Sequence, residues 1–490
     1  MTILNMIDSP PNAAALMQSL RDIGYELDTA LADLIDNSIT ASASLVDIAF
    51  DIKPETKVAV IDNGDGMNRD ELIKAMTIGS KNPLIERDNK DLGRFGLGLK
   101  TASFSQCKRL TVIAKQFDKI YGMCWDLDQV SQSNSWKLIQ LSTDAIEVAY
   151  QVRRLKEIDT GTLVIWEQCD RLNDDHNLGS ETHLLQKFEE AESHLRLIFH
   201  RFLDKSYRPA DNLQIRINGR AIGFVDPFFR ASLATQFHNK ESIKYKNTYI
   251  SIQGYTLPHH SKCTQTEYEK YALGSYRDNQ GFYVYRANRL LILGDWFRLT
   301  SKSDLTALTR IEIDLPNNFD SEWHIDIKKS HAKPPDQIRD QLKHYIDTYV
   351  SGSKRVYNSK GYRKKSVTNP VWHQYTNKGL KSYQVNKEHP LIQRLITELE
   401  PSQSSQFKDV IALIEKSFPV DQFYSEYAAA PKDFKTKLTD QEIETLAINY
   451  LKNFADMNLE ISLIKSFLET SEPYCNYQGN WLLFLNNKGY

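Results

Sequence analysis

Three short segments between residues 30 and 100 constrain what this chain can fold into: ALADLIDNSITAS at 30–42, VIDNGDGM at 60–67 and GRFGLGLKTAS at 93–103. The first reads as a helix with two faces. Leu31, Leu34, Ile35 and Ser38 fall at core spacing, while Asp33 and Asn37 sit four residues apart on another face. The second is an apolar run, 58–61, that delivers Asp62 to a strand end and then turns sharply through Gly64 and Gly66, next to Met67. The third is a glycine-rich turn, Gly93-Arg94-Phe95-Gly96-Leu97-Gly98, that opens a helix carrying Lys100. Free N–H groups at such a helix start can cradle phosphate oxygens.

Two commoner phosphate motifs fail on spacing. Counted from Gly93, a P-loop would need lysine at 99, where the chain has Leu99. A dinucleotide fingerprint needs G-x-G-x-x-G, whereas the order here is Gly93-x-x-Gly96-x-Gly98 with no βαβ pattern beside it. At 490 residues the chain exceeds one ordinary core, and 41% hydrophobic with 25% charged residues is the composition of a soluble globular protein. No apolar stretch reaches membrane-spanning length and the N-terminus lacks a signal pattern, so no membrane partner and a cytoplasmic location are expected. Five cysteines without a C-x-x-C pair read as buried thiols rather than metal ligands.

The ordered combination of D-x-x-x-N on a helix, D-x-G-x-G and G-x-x-G-x-G resembles the GHKL ATPases: gyrase B, the ninety-kilodalton heat-shock chaperones, histidine kinases and MutL. A fourth match is Gly161-Thr162 in TGTLVIW. The wording ALADLIDNSI, IDNGDGM and YVYRANRLL is most similar to the MORC (microrchidia) branch and its prokaryotic relatives. The resemblance implies an α+β chain: a GHKL (Bergerat) ATP-binding α/β sandwich, a transducer-like α/β domain and a helical C-terminal region. Boundaries are expected at 1–204, 205–350, 351–388 (a basic aromatic linker or hairpin) and 389–490.

Along the chain, strands are expected at 46–52, 58–61, 110–114, 121–127 and 162–166, with helices on one face of a mixed sheet. A polar segment at 79–92 has the character of a lid. The second domain should begin with a strand at 213–217 and continue through GFYVYRANRLLI, read as one alternating strand, to a helix over 336–349. Between 353 and 387 there is no Asp or Glu, while Lys360, Arg363, Lys364 and Lys365 lie among Tyr357, Tyr362, Trp372, Tyr375 and Tyr383. Phosphate neutralisation and base stacking make this the best nucleic-acid footprint of the chain; a solvated linker is the plain alternative. Helical stripes follow, with a T-x-x-E capping box at Thr439–Glu442.

In such an ATPase, Asp62 accepts a hydrogen bond from the adenine amino group and favours ATP over GTP; Thr162 shares that end of the pocket. The resemblance gives Asn37 the Mg²⁺ ion, a hard cation that uses few protein ligands. Gly93, Arg94, Phe95, Gly96, Leu97, Gly98 and Lys100 belong to the phosphates, with Gly64, Gly66 and Met67 lining the pocket. Asp33 takes the place of the catalytic base, where hydrolysing branches carry Glu. A carboxylate one methylene short implies slow turnover, since about 1 Å of misplacement costs on the order of 100-fold. In IDIKK, Lys329, or Lys328, takes the place of the lysine that reaches the terminal phosphate. The implied function is a slowly hydrolysing ATP-dependent switch or clamp that dimerises on ATP and acts on DNA. Prokaryotic relatives of this kind point to antiviral defence or restriction, with an effector nuclease or another operon partner doing the cutting. A chaperone and an ATP-binding module without turnover are the rival readings.

Overall fold

The computed structural model describes residues 11–80, 98–172, 180–207, 213–246, 248–316, 319, 322–323, 333–359, 369–377, 380–419, 422–423, 438–452 and 460–489. The chain forms two compact units, one of residues 1–258 with 262–353 and the other of 259–261 with 354–490.

The first unit starts with helices α1 (Ala13–Arg21), α2 (Leu27–Thr40), α3 (Arg69–Met76) and α4 (Gly98–Phe104) around strands β1 (Leu45–Asp51) and β2 (Lys57–Asp62). The helix starts follow the capping chemistry written in the sequence. Asn12 caps α1, and Asn68 with Glu71 forms a capping box on α3. Strands β3 (Arg109–Gln116), β4 (Lys119–Asp126), β5 (Ile139–Gln140), β6 (Gly161–Glu167), β7 (Gln214–Ile217) and β8 (Arg220–Ala221) complete a sheet of order β5-β4-β3-β6-β2-β1-β7-β8. The strand at 213–217, expected to open the second domain, instead pairs in parallel with β1, Val46 opposite Ile215. The first sheet therefore continues past the boundary expected at 205. Its hydrophobic Ile215 and Ile217 extend the face already built by Val46, Ile48, Val58 and Val60.

That face carries the main core, in which Leu31, Leu34 and Ile35 of α2 meet Leu110, Val112 and Trp166 of the central strands. Truncating side chains buried this completely costs about 2–5 kcal/mol each. The opposite face is also covered, contrary to the one-sided expectation. After α5 (Leu127–Ser133), the short helices α6 (Thr143–Glu147) and α7 (Val152–Lys156) pack Ile146, Val152 and Leu155 onto Ile61, Ile113, Leu163 and Ile165. Strands β2, β3 and β6 are buried on both sides because apolar residues occupy both alternating sets of positions.

The first unit continues with α8 (Ser180–Ile198) and α9 (His200–Leu203), and then a second sheet of β9 (Gln236–Tyr245), β10 (Thr248–Thr256), β11 (Gly281–Arg286), β12 (Arg289–Asp295) and β13 (Thr309–Leu315), ordered β12-β11-β13-β10-β9. The segment read as one strand, 281–292, is a hairpin. Ala287 and Asn288 both take positive φ, 46° and 68°, the two-residue turn whose twist suits antiparallel strands. Beyond α10 (Gln265–Ala272), the helix α11 (Asp336–Ser359) lays Ile338, Leu342, Ile346 and Tyr349 on this sheet. Tyr283, Tyr285 and Leu290 belong instead to the core of the first sheet, so the two sheets share apolar packing.

The second unit holds a hairpin, β14 (Trp372–Asn377) and β15 (Leu380–Val385), with α12 (Pro390–Glu398), α13 (Pro401–Lys416) and helices Asp440–Lys452, Ile461–Thr470 and Trp481–Asn487. Its core gathers Ile443, Ala447, Leu451, Leu468, Trp481 and Leu485. The expected capping box forms, with Thr439 Oγ1 accepting from the Glu442 N–H and the Glu442 carboxylate accepting from the Thr439 N–H. On α13 Ile411 is buried, whereas Val410 and Ile414, and Phe418 just beyond the helix, are about half exposed. Among the described residues no helix is long and apolar enough to cross a membrane.

Candidate nucleotide site

Asp62 ends β2 directly opposite Thr162 of β6 in the ladder. Its carboxylate is 6% exposed and is held from three sides. Oδ1 accepts from the Gly64 N–H at 3.0 Å and the Thr162 N–H at 3.2 Å; Oδ2 accepts from the Ser38 hydroxyl at 2.9 Å. Burial pushes its pKa above the ordinary aspartate value, against the opposing pull of these three donors. A carboxylate has about four acceptor positions, two on each oxygen. The two on Oδ1 are taken by backbone, which leaves one free position on Oδ2 beside Ser38. The site thus offers a fixed, buried acceptor suited to an amino group and unsuited to a carbonyl.

The turn after Asp62 is shaped by close backbone approach. Gly66 has φ +66°, and a β-carbon there would lie 2.0 Å from the Lys115 carbonyl oxygen; one on Gly161 would lie 2.0 Å from that of Asp62. Thr160 Oγ1 donates to the Gly64 carbonyl at 2.7 Å, pinning the turn to the start of β6. Gly66→Ala should therefore lower the melting temperature by several degrees or prevent folding, since it combines a disfavoured φ with a backbone clash. A melting curve of the variant checks this, and a parental curve would mean the turn can open.

On α2, Asp33 is 5% exposed and Asn37 is exposed. A β-carbon placed on Gly98 would lie 3.3 Å from Asp33 Oδ2, so the carboxylate faces the first residue of α4. Of the face that carries Asp33 and Asn37, Asp33 is buried and Asn37 open, while Ser38 is buried with the core face as its spacing predicts. Asp36 is buried too, because α4 and α8 pack on the helix and Arg289 of the second sheet meets its carboxylate. Lys100 is 2% exposed, and its ammonium donates to the carbonyls of Ala75 at 2.8 Å and Thr77 at 3.1 Å. A cation at the C-terminal end of α3 is favourably placed there. Gly64 is buried, Met67 is partly buried against the main core, and Thr162 is 8% exposed.

Gly93, Arg94, Phe95, Gly96, Leu97 and Lys329 lie outside the described residues, as do Lys360, Arg363, Lys364 and Lys365. Two residues of the site went unassigned in the sequence. Ser38 was visible as a small polar residue at core spacing, which is a signal for a buried hydrogen bond. Arg289, whose guanidinium meets Asp36, gives no such signal, since the pair joins helix α2 to a strand more than two hundred residues further along. Among the described residues no cluster of His, Cys, Asp and Glu could hold a metal ion. All five cysteines are free thiols, but against the expectation only Cys107, Cys124 and Cys169 are buried, Cys263 and Cys475 being partly exposed.

A helix carrying Asp33 and Asn37, a strand-end aspartate with its glycine turn, and a glycine-started helix on one mixed sheet define a nucleotide-binding fold of the GHKL ATPase class. The sequence model of the histidine kinase-, DNA gyrase B- and HSP90-like ATPase family matches residues 25–162, and that segment belongs to this superfamily. No curated protein matches the chain. Among solved structures, the ATPase and transducer domains of DNA topoisomerase II from Balamuthia mandrillaris match over 68% of this chain and 85% of that one. The sequence identity is 11% and the TM-score is 0.37.

Proposed function

We propose that the chain is a slowly hydrolysing, ATP-dependent switch that dimerises on ATP and acts on DNA. The observation that carries the nucleotide reading is the buried Asp62 carboxylate, with two backbone donors on Oδ1 and a free acceptor position on Oδ2. Adenine presents an amino group to such an acceptor; guanine presents a carbonyl there, and two acceptors facing each other are left unpaired. Thr162 shares this end of the pocket, with Gly64, Gly66 and Met67 forming its floor. Gly93 to Gly98 take the phosphates, and Lys329 or Lys328 reaches the terminal one. Asn37 fits Mg²⁺, because a single neutral, solvent-facing amide oxygen suits a cation that keeps most of its waters. When bound, the ion supplies charge neutralisation of the phosphates. Asp33, beside the start of α4, holds the position from which a carboxylate orients and deprotonates water. Titration calorimetry with ATP and GTP, followed by phosphate release, tests the reading. Binding of ATP at least about tenfold tighter than GTP is expected, and equal affinity would remove Asp62 from the role of base reader.

The shorter carboxylate at Asp33 favours a second reading, an ATP-binding module without turnover. ATP affinity with no phosphate release would establish it.

DNA is assigned from the basic aromatic stretch, where Trp372 is 40% and Tyr383 59% exposed on the β14–β15 hairpin. Binding through phosphates and stacking is sequence-independent and weakens steeply with salt. Replacing Lys360, Arg363, Lys364 and Lys365 together by Gln should flatten the salt dependence and lower affinity for all sequences alike, leaving ATP binding intact. Measured DNA off-rates at two salt concentrations decide this. Equal slopes in parent and variant would make the stretch a solvated linker, and no DNA binding at low salt would favour a chaperone. The wording of the motifs supports a MORC-like role in prokaryotic defence, with a partner nuclease supplying cleavage.

A further inference from the structure

We propose that Arg289, a residue of the second sheet, is a positioning residue for ATP hydrolysis, acting through Asp36 of α2; this rests on the ATPase reading above. The turn at Ala287-Asn288 sets Arg289 at the first position of β12. From there its Nε lies 3.1 and 3.0 Å from the two oxygens of Asp36. Nη1 donates to the Leu290 carbonyl at 2.7 Å, and the guanidinium carbon sits 5.4 Å from the ring centre of Phe199. Arg289 is 3% and Asp36 1% exposed, so water does not compete for the pair. The guanidinium is thus fixed by its own strand, by an aromatic ring and by the carboxylate. It holds α2 against rotation rather than following it.

Asp36 lies next to Asn37 and one turn from Asp33, the two groups assigned to the metal and to water. Side-chain tips lie about 5 Å from a helix axis, so a rotation of roughly 10° moves them by about 1 Å. A displacement of that size costs on the order of 100-fold in a reaction that depends on alignment. Adenine recognition meets this rotation only through Ser38, because the other two bonds that hold Asp62 come from the backbone N–H groups of Thr162 in β6 and Gly64 in the turn after β2. The pair should accordingly govern turnover and leave nucleotide affinity nearly alone.

The test is Asp36→Leu/Arg289→Met in the full chain, since replacing a buried ion pair by apolar residues of similar volume usually keeps a fold intact. Thermal melting, affinity for a non-hydrolysable ATP analogue and phosphate release are measured together. Expected are a melt near the parent's, affinity within about threefold, and turnover reduced at least about tenfold. Parental turnover in the folded variant overturns the proposal, and so does an affinity loss in proportion to the loss of turnover. If the double variant does not fold, Arg289→Lys decides. A compact ammonium cannot serve both Asp36 and the Leu290 carbonyl with the fork of an arginine, so turnover several-fold lower at unchanged affinity is expected. Unchanged turnover in that variant overturns the proposal. A parent chain that neither binds nor hydrolyses ATP would sink the ATPase reading and this inference with it.

Discussion

Asp62→Asn is expected to abolish ATP binding, a loss of at least about 100-fold in affinity, while the protein stays folded. The hydrogen bonds around the carboxylate explain both halves. Gly64 and Thr162 present N–H donors to Oδ1, so the amide oxygen of an asparagine must face them. Its NH₂ group then occupies the place of Oδ2, where the Ser38 hydroxyl can turn to accept, since it already lies 3.2 Å from the Leu34 carbonyl as an alternative acceptor. The protein's own bonds survive. The adenine amino group, however, meets a donor where it met an acceptor, losing a hydrogen bond to a charged group worth about 1.5–3 kcal/mol and stranding a buried donor at further cost. Each 1.4 kcal/mol is about tenfold. Calorimetry and a melting curve on the same sample check the prediction, and unchanged affinity would place the adenine pocket elsewhere.

Asp33→Ala should remove turnover by about 10²- to 10⁴-fold and keep ATP binding, the range in which a positioned base acts on the transition state. The closeness of Asp33 to Gly98, the first residue of α4, is what would let so short a side chain act in the proposed role. Asp33→Glu adds the missing methylene and should raise turnover above the parent's. Phosphate release by the three proteins at saturating ATP measures the series. If the alanine variant hydrolyses at the parental rate, another group is the base.

The elements that place the site were legible because each is specified locally. An apolar run ending in Asp62, a glycine turn and an amphipathic α2 are patterns of a few residues, and strands β1, β2, β3, β4 and β6 appear close to where alternation predicts them. What escaped was set by contacts distant in sequence. The place of β7 beside β1 depends on pairing across more than a hundred and fifty residues. The hairpin at 287–288 was hidden because its turn lacks glycine, and Asn288 alone did not outweigh the apolar residues on either side. Helices α6 and α7, five residues each, are too short to show a helical period. In the site itself, the position of Asp62 at a strand end was readable and its Ser38 partner was not, because core spacing on a helix does not say which strand end lies opposite. Lys100 shows the same limit. Its position beside Gly98 suggested phosphate, whereas its ammonium reaches back to the end of α3.

The core shared by the two sheets of the first unit has a consequence for how such a protein can be cut and recombined. Excising residues beyond β8 would strip Tyr283, Tyr285 and Leu290 from the main core and leave the buried Asp36 carboxylate without its guanidinium. Losing these core contacts together with a guanidinium buried against a carboxylate is strongly destabilising. The nucleotide-binding half is therefore not a cassette that evolution or an engineer could graft alone. The smallest transferable piece is the pair of sheets together.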